Sequence, residues 1–436
     1  MKRYTFAIHT LGCKVNTYES DLISEKMKQA GFSEVGFSSP ADVYIINTCT
    51  VTNIADRKSR QMLHRAKKLA PDSLIVAAGC YVDAYFQQKA LPDPLVDLWV
   101  KNSEKSLMPG KVLSFLEKRD EVLREEGPWD HGFLTELDGH TRAFVKIQDG
   151  CNMYCTYCII PYVRGKVTSR PVEDTVREVQ GLSERGVTEV VLTGIHLSEM
   201  GKELLRTIVE INKIPGIQRI RLGSLEPRLI TESFVGELKN VEKLCPHFHL
   251  SLQSGCDEIL KKMHRRYTTE EFEKGCEILR KAFPDVAITT DIIVGFPGET
   301  DENFAETLRF AQKIGFYEAH VFKYSRRKGT LADTMEGQLP EAVKAERSEK
   351  LIKACEEQSH RFRERFAGRE CSFLAEEVLL LSGKKYVTGY TREYVRCMLP
   401  CGEGFEPEPG TILKGMCKMI EKDRKEGEYL LLEDEL

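Results

Sequence analysis

Along roughly the first 115 residues, short apolar runs alternate with charged segments of helix length. "RYTFAIH" (3–9), "DVYIINT" (42–48) and "SLIVAAG" (73–79) predict three strands, and "ADRKSRQMLHRAKKLA" (55–70) predicts a helix after the second. Another helix is expected from Thr17, with Asn16 and Glu19 placed as a capping box. Strand–helix–strand units of this length favour a parallel sheet with right-handed crossovers. The charged stretch 118–140, which carries Gly and Pro, predicts a linker. From "AFVKIQ" to "AHVFKYS" the alternation resumes, with six strands expected around Val145, Val191, Ile220, Leu250, Ile292 and Phe322. Pro340 opens a charged helix to about Arg365, with Gly368 just past its end. Beyond it, "SFLAEEVLLL", "KYVTGYT", "YVRCML", "TILKGMCKMI" and "EYLLLE" are short runs between Gly and Pro turns, the pattern of a small antiparallel barrel. The expected fold is α/β in three domains: a doubly wound parallel sheet (1–117), a six-strand β/α region (137–367) and a small β-barrel (370–436).

At 436 residues the chain has room for about three cores. With 41% hydrophobic and 30% charged residues it has the composition of a soluble globular protein. The first residues lack the apolar core of a secretory signal, and runs such as "VYII" and "VLLL" are too short to span a bilayer. A cytoplasmic protein without membrane contact is expected. Fourteen cysteines in a reducing compartment favour metal sites, redox chemistry or buried thiols over disulfides. The net charge of −4 requires any nucleic-acid surface to be local.

"GCNMYCTYCIIP" sets Cys151, Cys155 and Cys158 in a C-x3-C-x2-C array just after the first strand of the second domain. Thiolates at this density point to zinc or an iron–sulfur cluster. Structural zinc wants four ligands and commonly uses C-x2-C pairs, so the spacing suits it poorly. Cys13, Cys49 and Cys80 each follow one N-terminal strand, at gaps of 36 and 31 residues. In a parallel sheet the carboxyl ends of the strands share one edge, so these three can converge. The other eight cysteines, Cys245 to Cys417, are scattered and read as buried thiols.

The array with six strand–helix units after it resembles the radical S-adenosylmethionine superfamily. "LGCKVNTYES", "NTCTV", "AGCY", "CNMYCTYCIIPYVRG", "HLSLQSGCDEIL" and "DIIVGFPGET" resemble its methylthiotransferase branch over essentially the whole chain. The C-terminal barrel resembles a TRAM domain, and the central region then becomes a partial (β/α)6 radical barrel. The resemblance implies two [4Fe–4S] clusters with open irons, one on Cys13, Cys49 and Cys80, the other on Cys151, Cys155 and Cys158. The second chelates S-adenosylmethionine, whose cleavage gives a 5′-deoxyadenosyl radical. The first carries the sulfur to be inserted. It also implies a tRNA anticodon loop as substrate, a reductase or flavodoxin-type electron donor, and a sulfur donor.

For S-adenosylmethionine the candidates are Gly194, Ser251, Gln253 and the loop Gly295 to Glu299. Residues 57–68 hold six Lys or Arg and no acid, which makes Arg57, Lys58 and Arg60 candidate RNA contacts. Smaller basic blocks lie at 261–266 and 326–328. Residues 370–436 carry nine basic and fourteen acidic side chains, so RNA binding there would rest on Lys384, Lys385, Arg392 and Arg396. Gly12-Cys13-Lys14-Val15-Asn16 resembles the bacterial branch acting on N6-threonylcarbamoyladenosine at tRNA position 37, rather than the isopentenyladenosine or ribosomal-protein aspartate branches. The threonylcarbamoyl carboxylate needs a positive partner, for which Lys14 and Arg164 are candidates. Outside this branch, an iron–sulfur electron carrier or a zinc RNA-binding module are the other readings.

Overall fold

The structure, a computed structural model, describes residues 3–88, 93–118, 129, 132–135, 141–381, 383–402, 407–423 and 427–433. Most of the expected linker, 118–140, lies outside the described residues. Strands β1 (Thr5–Thr10), β2 (Ser33–Glu34), β3 (Val43–Thr48), β4 (Leu74–Gly79) and β5 (Leu98–Val100) form one parallel sheet in the order β2-β1-β3-β4-β5. Helices α1 (Lys14–Gln29), α2 (Asn53–Leu69), α3 (Cys80–Gln87) and α4 (Met108–Glu117) complete this part. Ile45 and Val76 pack with Ile23 and Met27 of α1 and Val112 of α4 on one face. Ile46 and Ile75 pack with Leu63 and Ala66 of α2 on the other. Both faces are covered, so β3 and β4 are apolar almost throughout and buried at every residue.

The capping box is not formed. Helix α1 starts three residues earlier than expected, with extended Cys13 at its head and no side-chain cap. Asn16 lies in the first turn and is fully buried, its amide donating to Leu11 O at 2.7 Å and Thr48 O at 3.0 Å. It therefore ties together the loops after β1 and β3 instead of capping the helix.

In the central region β6 (Ala143–Lys146) is followed by the antiparallel pair β7 (Gln148–Asp149) and β8 (Thr168–Ser169). Then come β9 (Glu189–Thr193), β10 (Arg219–Leu222), β11 (His247–His249), β12 (Ala287–Val294) and β13 (Glu318–Lys323). β10-β9-β6 and β11-β12-β13 are parallel sheets, bridged in parallel at Ile220–Leu244 and Leu225–Leu250. All six expected strands form, though β11 stops one residue short of Leu250. Alternate residues such as Val145, Val190, Leu192, Ile220, Phe248 and Ile292 join one apolar core with the outer helices. The period of two turns the intervening set, including Lys146, Glu189, Arg221, His249, Asp291 and His320, to the inner face.

Helix Glu341–Glu364 begins after Pro340 and adds Leu351 and Cys355 to that core. Strands β14 (Glu370–Leu381), β15 (Lys384–Thr391), β16 (Arg396–Pro400), β17 (Ile412–Asp423) and β18 (Gly427–Glu433) close a barrel in the order β14-β15-β16-β18-β17. One pairing, β16 with β18, is parallel; the rest are antiparallel, as the sequence predicts. Arg219 donates to Tyr390 O at 2.9 Å, and Arg221 to Arg392 O at 2.7 Å and Thr391 O at 2.6 Å. These bonds fasten the small barrel to the central region at β10. Among the described residues no helix is long and apolar enough to cross a membrane.

Candidate active site

Each of the three long N-terminal strands runs directly into a cysteine. β1 leads through Gly12 to Cys13, β3 to Cys49, and β4 to Cys80 in the first turn of α3. Gly12 has φ +104°, and a Cβ there would lie 2.9 Å from Cys49 Sγ, so glycine is what lets the first loop close on the second. Cys13 is exposed and the other two are buried. Burial, with Cys80 and Cys13 as neighbours, pushes the Cys49 thiol up to about 11, and burial raises Cys80 as well. The three sulfurs form one group within charge range of one another.

Cys151, Cys155 and Cys158 occupy the loop between β7 and α5 (Ile160–Arg164). Burial, helped by the neighbouring thiols, pushes Cys151 up to about 11 and Cys158 to about 12. Donors are nevertheless aimed at all three sulfurs. Met153 N lies 3.5 Å from Cys151 Sγ, Ile160 N 3.4 Å from Cys158 Sγ, and Arg265 Nη1 3.3 Å from Cys155 Sγ. Thiols so buried are neutral at pH 7 unless a metal supplies positive charge, and N–H groups directed at sulfur suit cluster thiolates. Both triads fit an iron–sulfur cluster with one iron left without a protein ligand.

The triads lie on adjoining walls. Helix α3 packs on α5, where Cys80 and Ala84 meet Ile159 and Val163. Arg164, at the end of α5, donates to Asn16 Oδ1 at 2.7 Å, Glu19 Oε1 at 2.9 Å and both Asp149 oxygens at 3.1 Å. Glu19 also pairs with Lys105 and with Lys146 at 2.8 Å. Burial alone would raise the Glu19 carboxyl, but Arg164, Lys105 and Lys146 hold it well below the usual carboxylate range. This corrects the expectation for Arg164: its side chain is buried, and both terminal nitrogens are spent on joining the two cysteine loops. Arg327, in the basic block 326–328, is likewise buried on Asp56 at 2.6 Å and Asn53 at 3.0 Å, beside the Cys49 loop.

The expected cofactor residues divide. Ser251 and Gln253 follow β11 at the same strand-end edge as the second triad, Ser251 O accepting from Tyr267 Oη at 2.5 Å. Gln253 holds φ +67°, a strained value for a side-chain-bearing residue, locked by backbone bonds of 2.8 Å to Asp291 and Ile293. Gly194 is a packing glycine, since a Cβ would lie 2.9 Å from Gln148 Cβ. Gly295 (φ +73°) donates its N–H to Glu299 at 2.8 Å, and Glu299 pairs with Arg347. Glu299 thus braces its own loop through Oε2.

Of the expected RNA residues, Arg57, Lys58 and Arg60 are exposed on α2, immediately after Cys49. Lys384 and Lys385 are exposed at the start of β15. Arg396 lies over the Tyr429 ring at 4.6 Å, and Arg392 donates to Leu244 O at 2.9 Å, a docking contact rather than a free cation. Seven of the eight remaining cysteines are buried and Cys401 is half-buried. Arg265, Glu19 and the inward-facing His249, Asp291 and His320 are not singled out as site residues by the sequence, although Glu19, His249 and Asp291 lie within the motif stretches and Arg265 within the basic block 261–266. For His249, Asp291 and His320 the signal is a polar residue at every second position of otherwise apolar parallel strands.

The chain matches the radical SAM superfamily over residues 145–311 and the uncharacterized protein family UPF0004 over residues 5–101. It is 37% identical to threonylcarbamoyladenosine tRNA methylthiotransferase MtaB of Bacillus subtilis, covering 99% of this chain and 98% of that one. The chain belongs to the radical S-adenosylmethionine methylthiotransferases. Another member of this family, the MtaB of Aquifex aeolicus, is 39% identical over 87% of this chain and 95% of its own. The tRNA-2-methylthio-N(6)-dimethylallyladenosine synthase of Acetivibrio thermocellus is 34% identical over 90% and 84%. The fold is shared with the radical S-adenosylmethionine methyltransferase TsrM of Kitasatospora setae, with a TM-score of 0.58 at 14% identity, over 76% of this chain and 77% of that one. The family's cofactors are S-adenosylmethionine and two [4Fe–4S] clusters, which accords with two complete cysteine triads.

Proposed function

We propose that this protein methylthiolates C2 of N6-threonylcarbamoyladenosine at position 37 of tRNA. The observation that carries the reading is the pair of cysteine triads on adjoining walls, with Lys14 directly after the first ligand. The names of the relatives and the Gly12-Cys13-Lys14-Val15-Asn16 stretch support the substrate.

In this reading Cys13, Cys49 and Cys80 hold one cluster and Cys151, Cys155 and Cys158 the other. When bound, the second supplies the electron that cleaves S-adenosylmethionine, and the first carries the sulfur to be transferred. The chain's own residues do the rest. Arg265 holds Cys155 Sγ through its guanidinium and is itself fixed by Glu226. Ser251 and Gln253 present polar groups to the cofactor. The Arg164–Glu19 junction keeps the two cysteine loops at a fixed spacing. Electrons come from a reductase or flavodoxin-type protein and the sulfur from a separate donor.

The exposed basic face of α2 receives the anticodon-loop phosphates. Charge reversal at Arg57, Lys58 and Arg60 is expected to weaken tRNA binding and to lower its salt dependence by about one unit for each phosphate no longer neutralised. Unchanged affinity in a filter-binding titration would remove α2 from the interface. The substrate is tested with two tRNAs, one carrying threonylcarbamoyl and one isopentenyl at that adenosine, with products read by nucleoside mass spectrometry. Turnover of the isopentenyl tRNA alone would overturn the assignment.

A further inference from the structure

Three metal-ligating side chains from three neighbouring strands of the central region converge on one spot. His249 ends β11, Asp291 lies in the middle of β12, and His320 is the third residue of β13. In the parallel register Asp291 stands directly opposite His320, and His249 opposite Thr289, two residues before Asp291. All three side chains therefore leave the same face of the sheet. Each offers one ligand atom, and these atoms lie within 4.8 Å of one another.

The hydrogen bonding around them leaves these atoms available. His249 Nδ1 is bonded to Thr289 Oγ1 at 3.0 Å, and Nε2 lies 3.3 Å from Asp291 Oδ2. A partner on the far ring nitrogen is the usual device that fixes the tautomer and aim of a metal-bound histidine. Among the described residues the Asp291 carboxylate accepts no hydrogen bond, and the His320 ring makes none. His320 is held only by stacking on His249, with ring centroids 6.1 Å apart. The spacing also suits a metal, because ligands about 2.0–2.1 Å from a tetrahedral ion stand about 3.3 Å from one another. His320 is exposed and free of hydrogen bonds, so a side-chain rotation can close its remaining gap. It also lines a cavity of about 430 Å³ with Cys355, Arg363 and Glu428, which gives an ion a path to the group.

We infer that His249, Asp291 and His320 bind one divalent first-row transition metal, with Thr289 orienting His249. Two imidazoles and a carboxylate suit zinc or iron(II), and the set contains no thiolate, which separates it in chemistry from both cysteine triads. Three protein ligands leave at least one coordination position for water or an anionic oxygen. The inference does not depend on which tRNA base is modified.

The experiment offers zinc(II) to the cluster-loaded enzyme, removes unbound ion by gel filtration, and counts zinc and iron per chain. Zinc is held more tightly than manganese or iron(II) by such ligands, so a site that refuses zinc holds neither of them. The wild type is expected to retain one zinc with its iron content unchanged. X-ray absorption at the zinc edge should show nitrogen and oxygen ligands at about 2.0–2.2 Å and no sulfur near 2.3 Å. His320→Ala and Asp291→Asn should each bind zinc at least about a hundredfold more weakly, since losing even an outer partner of a ligand costs about ten- to a hundredfold. Their unchanged iron content shows that they are folded, and exposed His320 can be truncated without loss of core packing. His360→Ala, which removes an exposed histidine on helix Glu341–Glu364, should bind zinc like the wild type. A wild type that retains no zinc overturns the inference. So does zinc bound through sulfur or at the expense of iron, and so does zinc retained equally by His320→Ala and Asp291→Asn.

Discussion

Anaerobically reconstituted Cys49→Ala protein is expected to hold about half the wild-type iron, still to release 5′-deoxyadenosine under dithionite, and to form no methylthiolated product. The expectation follows from how the triads are built. Cys13, Cys49 and Cys80 sit at three strand ends of one sheet, whereas Cys151, Cys155 and Cys158 come from a single loop closed by β7 and β8. No cysteine is shared, and the donors aimed at the second set of sulfurs, Met153 N, Ile160 N and Arg265, all belong to the central region. Cys13→Ala should match Cys49→Ala in iron. Cys151→Ala should also lose about half the iron, but with it all cleavage of S-adenosylmethionine, and the Cys13→Ala/Cys151→Ala protein should hold almost none. Iron assay, the 5′-deoxyadenosine yield and nucleoside analysis read the three quantities separately. Full iron in Cys13→Ala would eliminate the first site. Absence of cleavage in a folded Cys49→Ala protein would eliminate the division of labour.

The strands, the three-part architecture and the six clustered cysteines were legible because each has a local signal. β3 and β4 are continuous apolar runs, and Cys151, Cys155 and Cys158 fall within eight residues. What a single stretch cannot display is which charged side chain meets which. Asn16 and Glu19 have the spacing of a capping box, yet they face Arg164, some 145 residues away, and this burial overrides the local preference. Arg164, Arg327 and Arg392 each lie in a basic or motif-bearing stretch and read as free cations. All three are engaged by partners from other domains, which composition cannot reveal. His249, Asp291 and His320 are spread over 72 residues and meet only because parallel strands place them side by side.

Replacing Glu19 should destabilise the protein more than replacing Arg164, although both belong to one junction. The junction holds three cations, Arg164, Lys105 and Lys146, against two carboxylates, Glu19 and Asp149. Removing Arg164 leaves two charges of each sign, and Lys146 still bridges Glu19 and Asp149 at 2.8 and 2.6 Å. Removing Glu19 leaves Arg164 and Lys146 sharing Asp149, and takes from Lys105 its ion-pair partner. Stranding a buried charge in this way costs about 3–5 kcal/mol. Glu19→Ala should therefore lower the urea midpoint of the cluster-free protein substantially, and Arg164→Ala should fall well short of it. Arg164→Ala as the more damaging change would refute this charge count. The pH dependence has a definite sign. The Glu19 and Asp149 carboxyls are held below their ordinary values near 4.5 and 3.8 by Arg164 and Lys146, with Lys105 adding to Glu19, all against the effect of burial. Stability from a depressed carboxyl is fully present above its unfolded pKa and is lost as the pH falls through the folded one. The gap between wild type and Glu19→Gln should thus be flat from about pH 6 to 8 and narrow only below about pH 4. A gap that closes near neutrality would mean that Glu19 is not the ionised partner of these three cations.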